Sequence, residues 1–364
     1  MGIENTPGYY GTSNGSHPVN GSAVLMGDNS NVGASAGFDF VVDTVMIGSL
    51  CLLGLMGNIL SFIVFSKHKN ETPTVFLLRV LSLTDSLLLF TSIFMYSVHG
   101  IKSFKLYKNN FYYIQTYVWP FALMAHTATV WITVIISVHR YTLVCKPVGL
   151  LRSLMSKISR AQVAAVISFS ILYNIPRFFE HQEMGSQTFS KVNNSTNATE
   201  EPATLGSNKV YQIVYSNLLY FPIMYIIPLC LLAYFNSKLI KAVQALQERK
   251  EMLTGHSHRS REDNCNVTTI VIVIVCIFIV CQTPALINQI FWACFNQSWR
   301  EPGAFHFYYT RVSDLLVVLN SSVNFVIYCL FGRTFRRLFV DCLCGFRSGN
   351  SNNRSPINNN INNV

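Results

Sequence analysis

The sequence has few charged residues: only 12% of its 364 residues are Asp, Glu, Lys or Arg, and half are apolar. A soluble protein carries about a quarter charged residues, so the composition argues against a soluble fold. A membrane-spanning helix needs roughly 20 apolar residues. Seven stretches qualify, and we expect an all-α membrane protein, a seven-transmembrane helix bundle with spans at 41–66, 73–98, 112–138, 161–176, 211–237, 267–293 and 306–331.

Motifs of catalytic and nucleotide-binding sites are also missing. The histidines are scattered without metal-ligand spacing, and there are no paired catalytic carboxylates, nucleophile elbow or phosphate loop. We therefore expect no enzyme activity, no metal and no cofactor. Transporters usually carry paired repeats with matching broken helices, and the sequence shows no such symmetry. Asp85 and the helix prolines nevertheless leave a small membrane transporter open as an alternative.

Basic residues are distributed unevenly between the two sides of this predicted bundle. If the N-terminus lies outside, about two thirds of the 27 lysines and arginines fall in inner segments, as the positive-inside rule expects. The net charge of +10 then indicates contact with anionic membrane lipid rather than binding of nucleic acid. The N-glycosylation triplets on the outer side support this orientation; they begin at Asn14, Asn20, Asn193, Asn194, Asn197 and Asn296.

The composition divides the chain into four parts. The first is rich in Gly, Asn and Ser and lacks the apolar residues needed for a core; it has no basic and apolar signal-peptide pattern, so we expect the first span to act as its own insertion signal. The predicted parts are an extracellular disordered N-terminus (1–40), the seven-transmembrane domain (41–331), a juxtamembrane amphipathic helix (332–345) and a disordered cytoplasmic tail (346–364).

The amphipathic helix follows Gly332. Its apolar residues have the spacing of a helix that lies on the membrane surface. Cys342 and Cys344 come directly after them and are predicted sites of S-palmitoylation, with unmodified thiols as the alternative.

Several polar residues interrupt the apolar spans. Asp85 lies near the middle of the second span, where a carboxylate must be protonated, paired or hydrated. We expect an ion-linked role, or else a protonated hydrogen-bonding role. Arg140 ends the third span within a His-Arg-Tyr triplet, and burial of such a charge requires a partner or a function. Pro284 is expected to kink the sixth span because proline lacks a backbone N–H.

In order along the chain, these features resemble the rhodopsin-like (class A) G-protein-coupled receptors. The residues that carry the resemblance are Gly57-Asn58, Leu81 to Asp85, Arg140-Tyr141, Pro228, Cys281, Pro284, and Asn324 with Tyr328. More narrowly, the segments YNIPRFFE (Tyr173–Glu180) and LNSSVNFVIYCLFG resemble invertebrate FMRFamide-related neuropeptide receptors.

This resemblance implies a multi-pass receptor of the plasma membrane that binds a peptide ligand outside and a heterotrimeric G protein inside. An orphan receptor with another ligand is the alternative within the family. The residues implied for activation and G-protein coupling are Arg140, Tyr141, His139, Asn324, Tyr328 and Pro284. Those implied for an allosteric sodium site are Asp85, Asn320 and Thr129.

The implied ligand cavity lies at the outer end of the bundle. Its predicted residues are Asp314, Trp119, His126, Tyr96, Gln289, Trp292 and Glu180. If the ligand ends in Arg-Phe-amide, we expect Asp314 to pair with its guanidinium, with Glu180 as the second choice. Two alternatives remain: Asp314 pairs with Arg311 on its own helix, or the aromatic residues belong to the belt at the membrane interface.

The sequence also departs from the family pattern. Gln115 occupies the position where the third span usually has a disulfide cysteine, and residues 177–210 contain no cysteine, so the family's outer bridge cannot form. Loss of such a crosslink typically costs about 2–4 kcal/mol. His139 replaces an acid beside Arg140. In the family this acid holds the arginine in the inactive state, so the replacement predicts that the inactive state is held more weakly. Phe325 replaces a proline, and Gln282 a tryptophan.

Overall fold

A computed structural model describes the backbone of residues 37–38, 40–67, 72–97, 105–145, 151–180, 205–252, 259–294 and 304–349. All regular structure within these ranges is helical. In chain order the helices are α1 (Phe40–Ser66), α2 (Pro73–Ser97), α3 (Lys105–Cys145), α4 (Leu151–Asn174), α5 (209–252), α6 (Arg259–Cys294), α7 (Phe305–Ser322), α8 (Asn324–Phe331) and α9 (Arg333–Gly349).

The described helices confirm the predicted seven-transmembrane bundle. Six of them are long and apolar enough to cross a membrane, and α7 with α8 forms a seventh span that bends by 45°. α3 lies at the centre, with 72% of its apolar segment buried. The predicted amphipathic helix after the last span is α9.

The predicted fourth span, 161–176, is shorter than the candidate membrane span of the structure, which covers Leu154–Phe179. α4 begins at Leu151 and continues through a 3₁₀ turn at Ile175–Phe179. Its first turns are amphipathic: Met155 and Ser159 are buried, whereas the residues between them are half-buried or exposed. Hydropathy alone missed these turns because half of each turn is polar.

A close contact between α1 and α8 positions the bend in the seventh span. A side chain at Gly57 would place its Cβ only 2.7 Å from the Cβ of Phe325, so glycine is required for this approach. Asn58 Nδ2 donates to the carbonyl oxygen of Ser321, 2.8 Å away, two residues before the break at Val323. The predicted polar residue of the first span therefore binds a backbone carbonyl of another helix, which stabilises the bent geometry.

Widened π-type turns occur over Phe40–Ile47 and Ile93–Ser97, at the ends of α1 and α2 that the predicted orientation places outside. We call this side of the bundle the outer end and the opposite side the inner end. Side chains bond across the two ends: Ser97 Oγ donates to the carbonyl of Asp43 at 3.3 Å, and Thr44 Oγ1 to the carbonyl of Ser97 at 3.4 Å. The outer ends of α1 and α2 are thereby joined, and Val42, Asp43 and Ile47 of this region are buried in the bundle.

Candidate functional site

The polar centre of the bundle is organised around Asp85, which is fully buried. Its two carboxylate oxygens accept hydrogen bonds from Thr129 Oγ1 at 3.1 Å and from Asn324 Nδ2 at 2.6 Å. The structure thus brings together α2, α3 and α8 through these predicted residues. Asn320 is also buried.

The donor set around Asp85 fits a small hard cation. Hard cations prefer oxygen ligands, and both a carboxylate and the Thr129 hydroxyl are available here. A bound sodium ion would supply positive charge to the buried carboxylate. Asp85, Thr129 and the amide oxygens of Asn320 and Asn324 would hold this ion.

At the inner end of α3, His139 is directed towards α4. Its Nε2 lies 3.0 Å from Ser159 Oγ and 3.3 Å from Gln162 Oε1. Ser159 already donates its proton to the Met155 carbonyl at 2.7 Å, and an amide oxygen only accepts. We therefore assign the Nε2–H tautomer, with both oxygens as acceptors. His139 is a link between α3 and α4, a role that the residue pattern did not indicate.

Arg140 is buried, with 5% of its surface exposed. Its Nε has no hydrogen-bond partner within the part of the chain that the structure describes. The neighbouring Tyr141 is half-buried, and its ring lies 5.4 Å from that of Phe235 on α5. Within the described residues, a desolvated guanidinium therefore sits at the inner end of the bundle beside a histidine that faces away.

Tyr328 packs among aromatic rings. Its ring packs edge-on against Phe65 at 5.1 Å and against Phe335 of α9 at 5.4 Å. Its hydroxyl is buried without a hydrogen-bond partner among the described residues. Asn324, one turn earlier, is bound to Asp85. The two predicted residues of the seventh span thus serve different contacts in this conformation.

The outer half of α6, around Pro284, is held by polar contacts to two helices. Gln282 Nε2 and His126 Nε2 of α3 lie 3.3 Å apart. Tyr309 of α7 donates its hydroxyl proton to the Pro284 carbonyl at 3.1 Å. The glutamine that replaces the family tryptophan therefore forms a polar contact between α3 and α6.

The predicted ligand residues at the outer end lie inside the bundle. Asp314, Tyr96, Trp119 and His126 are all buried, with at most 7% of their surface exposed. A belt residue at the membrane interface would face lipid, so Tyr96 and Trp119 do not fit that alternative. Gln289 is half-buried on α6.

One acid in this region was not predicted. Asp43 of α1 is 1% exposed and forms an ion pair with Arg311 of α7, with Oδ2 and Nε 3.6 Å apart. The Arg311 guanidinium also lies 5.5 Å from the centre of the Phe307 ring. Tyr96 lies within electrostatic reach of Asp43, Arg311 and Asp314. A lone acid in an otherwise apolar stretch, the signal that identified Asp85, was also present at Asp43.

Glu180, the second predicted partner of a ligand guanidinium, binds a guanidinium of this chain. Its Oε1 lies 2.5 Å from Arg177 Nη1 and accepts a hydrogen bond from the Tyr211 hydroxyl at 2.7 Å. Arg177 stacks on the rings of Tyr215 and Tyr220, at 4.7 and 5.0 Å from their centres. We call these five residues the outer cluster; it connects the end of α4 to the beginning of α5.

Some predicted sites fall outside the described residues. The glycosylation triplets lie there, as do the side chains of Trp292 and Cys344, although both residues belong to described helices. Cys342 is a free, half-buried cysteine of α9.

The sequence of this chain is also similar to those of known proteins. The family model described as "7 transmembrane receptor (rhodopsin family)" matches residues 57–328. The chain is 28% identical over 317 residues to an FMRFamide receptor of Drosophila melanogaster, covering 83% of this chain and 54% of that protein. It is 29% identical over 302 residues to an FMRFamide peptide receptor of Caenorhabditis elegans, covering 80% of this chain and 66% of that protein. It is also 24% identical over 322 residues to the sex peptide receptor of Drosophila melanogaster, covering 81% and 71%. The chain thus spans about half the length of the first of these relatives and two thirds of the second.

Proposed function

The chain belongs to the rhodopsin family of seven-transmembrane receptors, and from this premise we propose that it is a receptor for an amidated neuropeptide of the Arg-Phe-amide type. Two of the relatives above are named as FMRFamide receptors, which supports this ligand class. The family is one of signalling receptors rather than enzymes, and the chain is a multi-pass membrane protein. We place it in the plasma membrane with its N-terminus outside, in agreement with the distribution of basic residues.

The observation that carries the ligand proposal is the charge of the outer end. Asp43 and Asp314 are both buried there, and Arg311 is the basic residue of the same group. Among the described residues of this group, two carboxylates outnumber one guanidinium, which gives the group a net negative charge in a region of low dielectric. A ligand guanidinium would balance it through a charge-assisted hydrogen bond. The buried rings of Tyr96 and Trp119 would contact the phenyl group of the ligand.

A peptide screen tests this proposal directly. Cells that express the chain would be exposed to amidated peptides ending in Arg-Phe, with calcium and cyclic AMP as readouts. The free-acid and Lys-Phe-amide forms of each active peptide are the matched controls. We expect the amidated Arg-Phe form to be the most potent. A response to peptides of another class, with none to this one, would exclude the proposed ligand.

At the inner face we propose that Arg140 and Tyr141 contact the heterotrimeric G protein, and that His139 acts in activation through its contacts with α4. A receptor must bind its ligand and its G protein differently in two states of one bundle. The prolyl kink at Pro284 is where α6 would swing, and Asn324 and Tyr328 would change partners. The buried position of Arg140, which the G protein would reach only after α6 moves, supports this assignment.

His139→Asp is expected to lower signalling in the absence of agonist. A carboxylate at this position would attract the Arg140 guanidinium, whereas the native imidazole is engaged with Ser159 and Gln162 and supplies no counter-charge. Basal G-protein turnover would be measured at equal surface expression. His139→Asn, which disturbs the same contacts without adding charge, is the control. Equal basal levels in wild type and His139→Asp would contradict a weakly held inactive state.

Asp85→Asn is expected to abolish the effect of sodium on agonist potency. The amide that replaces the carboxylate keeps the size of the side chain and removes the negative charge that would hold the ion. Dose–response curves would be recorded in sodium and in choline buffers of equal ionic strength. Wild type should lose potency in sodium by a few-fold, and the variant should not. A wild-type response that is the same in both buffers would argue against an ion at this site.

A further inference from the structure

A polar pair between α3 and α6 has buried hydrogen-bonding atoms that it does not use. His126 and Gln282 are each 2% exposed, and their Nε2 atoms lie 3.3 Å apart. His126 Nδ1 and Gln282 Oε1 are also buried, and neither has a hydrogen-bond partner within the described part of the chain. A buried polar atom without a partner costs free energy, so a ligand with matching polar groups would be stabilised at this pair.

The contact within the pair determines what the two unused atoms can do. Gln282 Nε2 only donates, so His126 Nε2 accepts and the imidazole proton is on Nδ1. The pair then presents one unused donor, His126 Nδ1–H, and one unused acceptor, Gln282 Oε1. If the glutamine amide were turned over, its oxygen would accept from Nε2–H, and again one donor and one acceptor would remain. The pair therefore matches a ligand group that carries both kinds of atom.

A primary carboxamide has this combination. Its oxygen can accept from His126 Nδ1–H while its NH2 group donates to Gln282 Oε1. A free carboxylate in the same place has no hydrogen to donate, and it would bring a negative charge to the Gln282 oxygen in a buried site. The pair thus favours an amidated chain end over a free acid.

Small residues flank the pair on its outer side. Ala122 lies one turn before His126 on α3, and Ala285 lies three residues after Gln282 on α6, so each alanine is next outward on the same helix face. Both alanines are buried. Longer side chains at these two positions would separate the pair from the outer end of the bundle, whereas methyl groups obstruct the approach of a chain end least.

The pair lies deeper in the bundle than the carboxylate proposed to bind the ligand guanidinium. Thr129, three residues inward of His126, is at the level of Asn324, because both donate hydrogen bonds to Asp85. Asp314 precedes Asn324 by ten residues, about 15 Å of helix, whereas His126 precedes Thr129 by about 4.5 Å. Asp314 is therefore roughly 10 Å outward of the pair. Two residues of extended chain cover about 7 Å, and the arginine side chain of the ligand spans the rest.

We propose that His126 and Gln282 bind the C-terminal carboxamide of the peptide, while its penultimate arginine reaches Asp314. The assignment of this pair rests on the proposed ligand class, and it adds the residues that select for amidation. Gln282, which occupies the position of the family tryptophan, is then a specificity-determining residue. The peptide enters the bundle with its C-terminus first.

The test compares two isosteric peptides on full-length receptor in cells, at equal surface expression. One ends in Arg-Phe-amide, and the other ends in the methyl ketone, in which CH3 replaces NH2 and only the N–H donors are lost. On wild type we expect the ketone to be about 10- to 100-fold less potent, because it leaves Gln282 Oε1 unsatisfied. On Gln282→Met, which has a similar volume and no amide oxygen, the two peptides should be equally potent.

Two further variants make the comparison specific. Asn288→Leu is the matched control, because Asn288 is also a fully buried amide of α6, but its Oδ1 accepts a hydrogen bond from Thr310 of α7 at 3.0 Å. This variant should keep the wild-type ratio of the two potencies. His126→Phe removes the donor to the ligand carbonyl, which both peptides retain, so both should lose potency by a similar factor.

The outcomes separate the amide site from the ligand class. A wild-type ratio of potencies in both Gln282→Met and His126→Phe would overturn the amide site, although the response to Arg-Phe-amide would still support the ligand class. The amide site would also be overturned if Asn288→Leu abolished the ratio, or if the amidated peptide were as potent on His126→Phe as on wild type. No response of wild type to any Arg-Phe-amide peptide would contradict the proposed function and this site with it.

Discussion

Glu180→Gln is expected to destabilise the folded receptor by about 3–5 kcal/mol, because it leaves the buried Arg177 guanidinium without its counter-charge. Both side chains of this pair are at most 9% exposed, so solvent does not screen the loss. The free energy of unfolding would be measured by denaturant titration of purified receptor in one detergent. This is the largest effect of a single substitution that we expect.

Two further variants separate the ion pair from the rest of the outer cluster. Tyr211→Phe removes one hydrogen bond to Glu180 and should cost about 1 kcal/mol. Arg177→Met with Glu180→Met removes both charges and should lie near wild type, since apolar residues of similar size often replace a buried pair without loss. If Glu180→Gln were no more harmful than Tyr211→Phe, the ion pair would not stabilise this end of the bundle.

The outer cluster gains importance from the missing cysteines. Gln115 and the cysteine-free segment 177–210 exclude the disulfide that the family usually has between the third span and this segment. The cluster connects α4 to α5 instead, and the Gly206 N–H adds a hydrogen bond to the Glu180 carbonyl at 3.1 Å. The glycine is needed there, because a Cβ would lie 2.7 Å from that oxygen. Noncovalent contacts thus stabilise an outer end that has no crosslink to α3.

Asp314→Asn is expected to lower the potency of an Arg-Phe-amide peptide about 10- to 100-fold, because a hydrogen bond between charged groups contributes about 1.5–3 kcal/mol. The asparagine keeps the shape of the buried side chain and removes its charge. Potency would be measured at equal surface expression, with G-protein activation as the readout.

A double-mutant cycle with the peptide makes this prediction specific. A peptide with citrulline in place of its penultimate arginine should lose potency on wild type and lose little more on Asp314→Asn, because the two changes remove the same interaction. Asp43→Asn is the comparison variant, since Asp43 already pairs with Arg311. Additive losses from the peptide change and Asp314→Asn would assign the ligand guanidinium to another group.

Residue spacing was sufficient to predict the elements of this fold. The seven apolar stretches follow from the thickness of a membrane, and the segment after Gly332 has the pattern of an amphipathic helix, which α9 confirms. The boundaries were less accurate, because about half of the residues in the first turns of helix α4 are polar. Polar residues in apolar runs were also informative: Asp85 and Asn324, far apart in the chain, meet through a 2.6 Å hydrogen bond.

The contacts that each polar side chain makes, by contrast, could not be derived from the order of residues. The sequence relates His139 to its neighbour Arg140, but the fold places His139 against α4. The resemblance predicts Glu180 as a ligand residue, but in the structure Glu180 binds Arg177 within the outer cluster. A side chain in a helix bundle can face any of several neighbours, and the choice depends on the rotation and contact of whole helices, to which many distant residues contribute.

The few charged residues of this chain show what the sequence determines and what only the tertiary structure decides. By itself, the sequence determined that this chain is a membrane bundle and which few polar residues must have a role within it, because burial of a polar group in lipid is costly wherever it occurs. Only the tertiary structure decided which of these groups compensate one another, because that depends on distances between helices. Asp43 illustrates the point: its importance became evident when α7 placed Arg311 3.6 Å away.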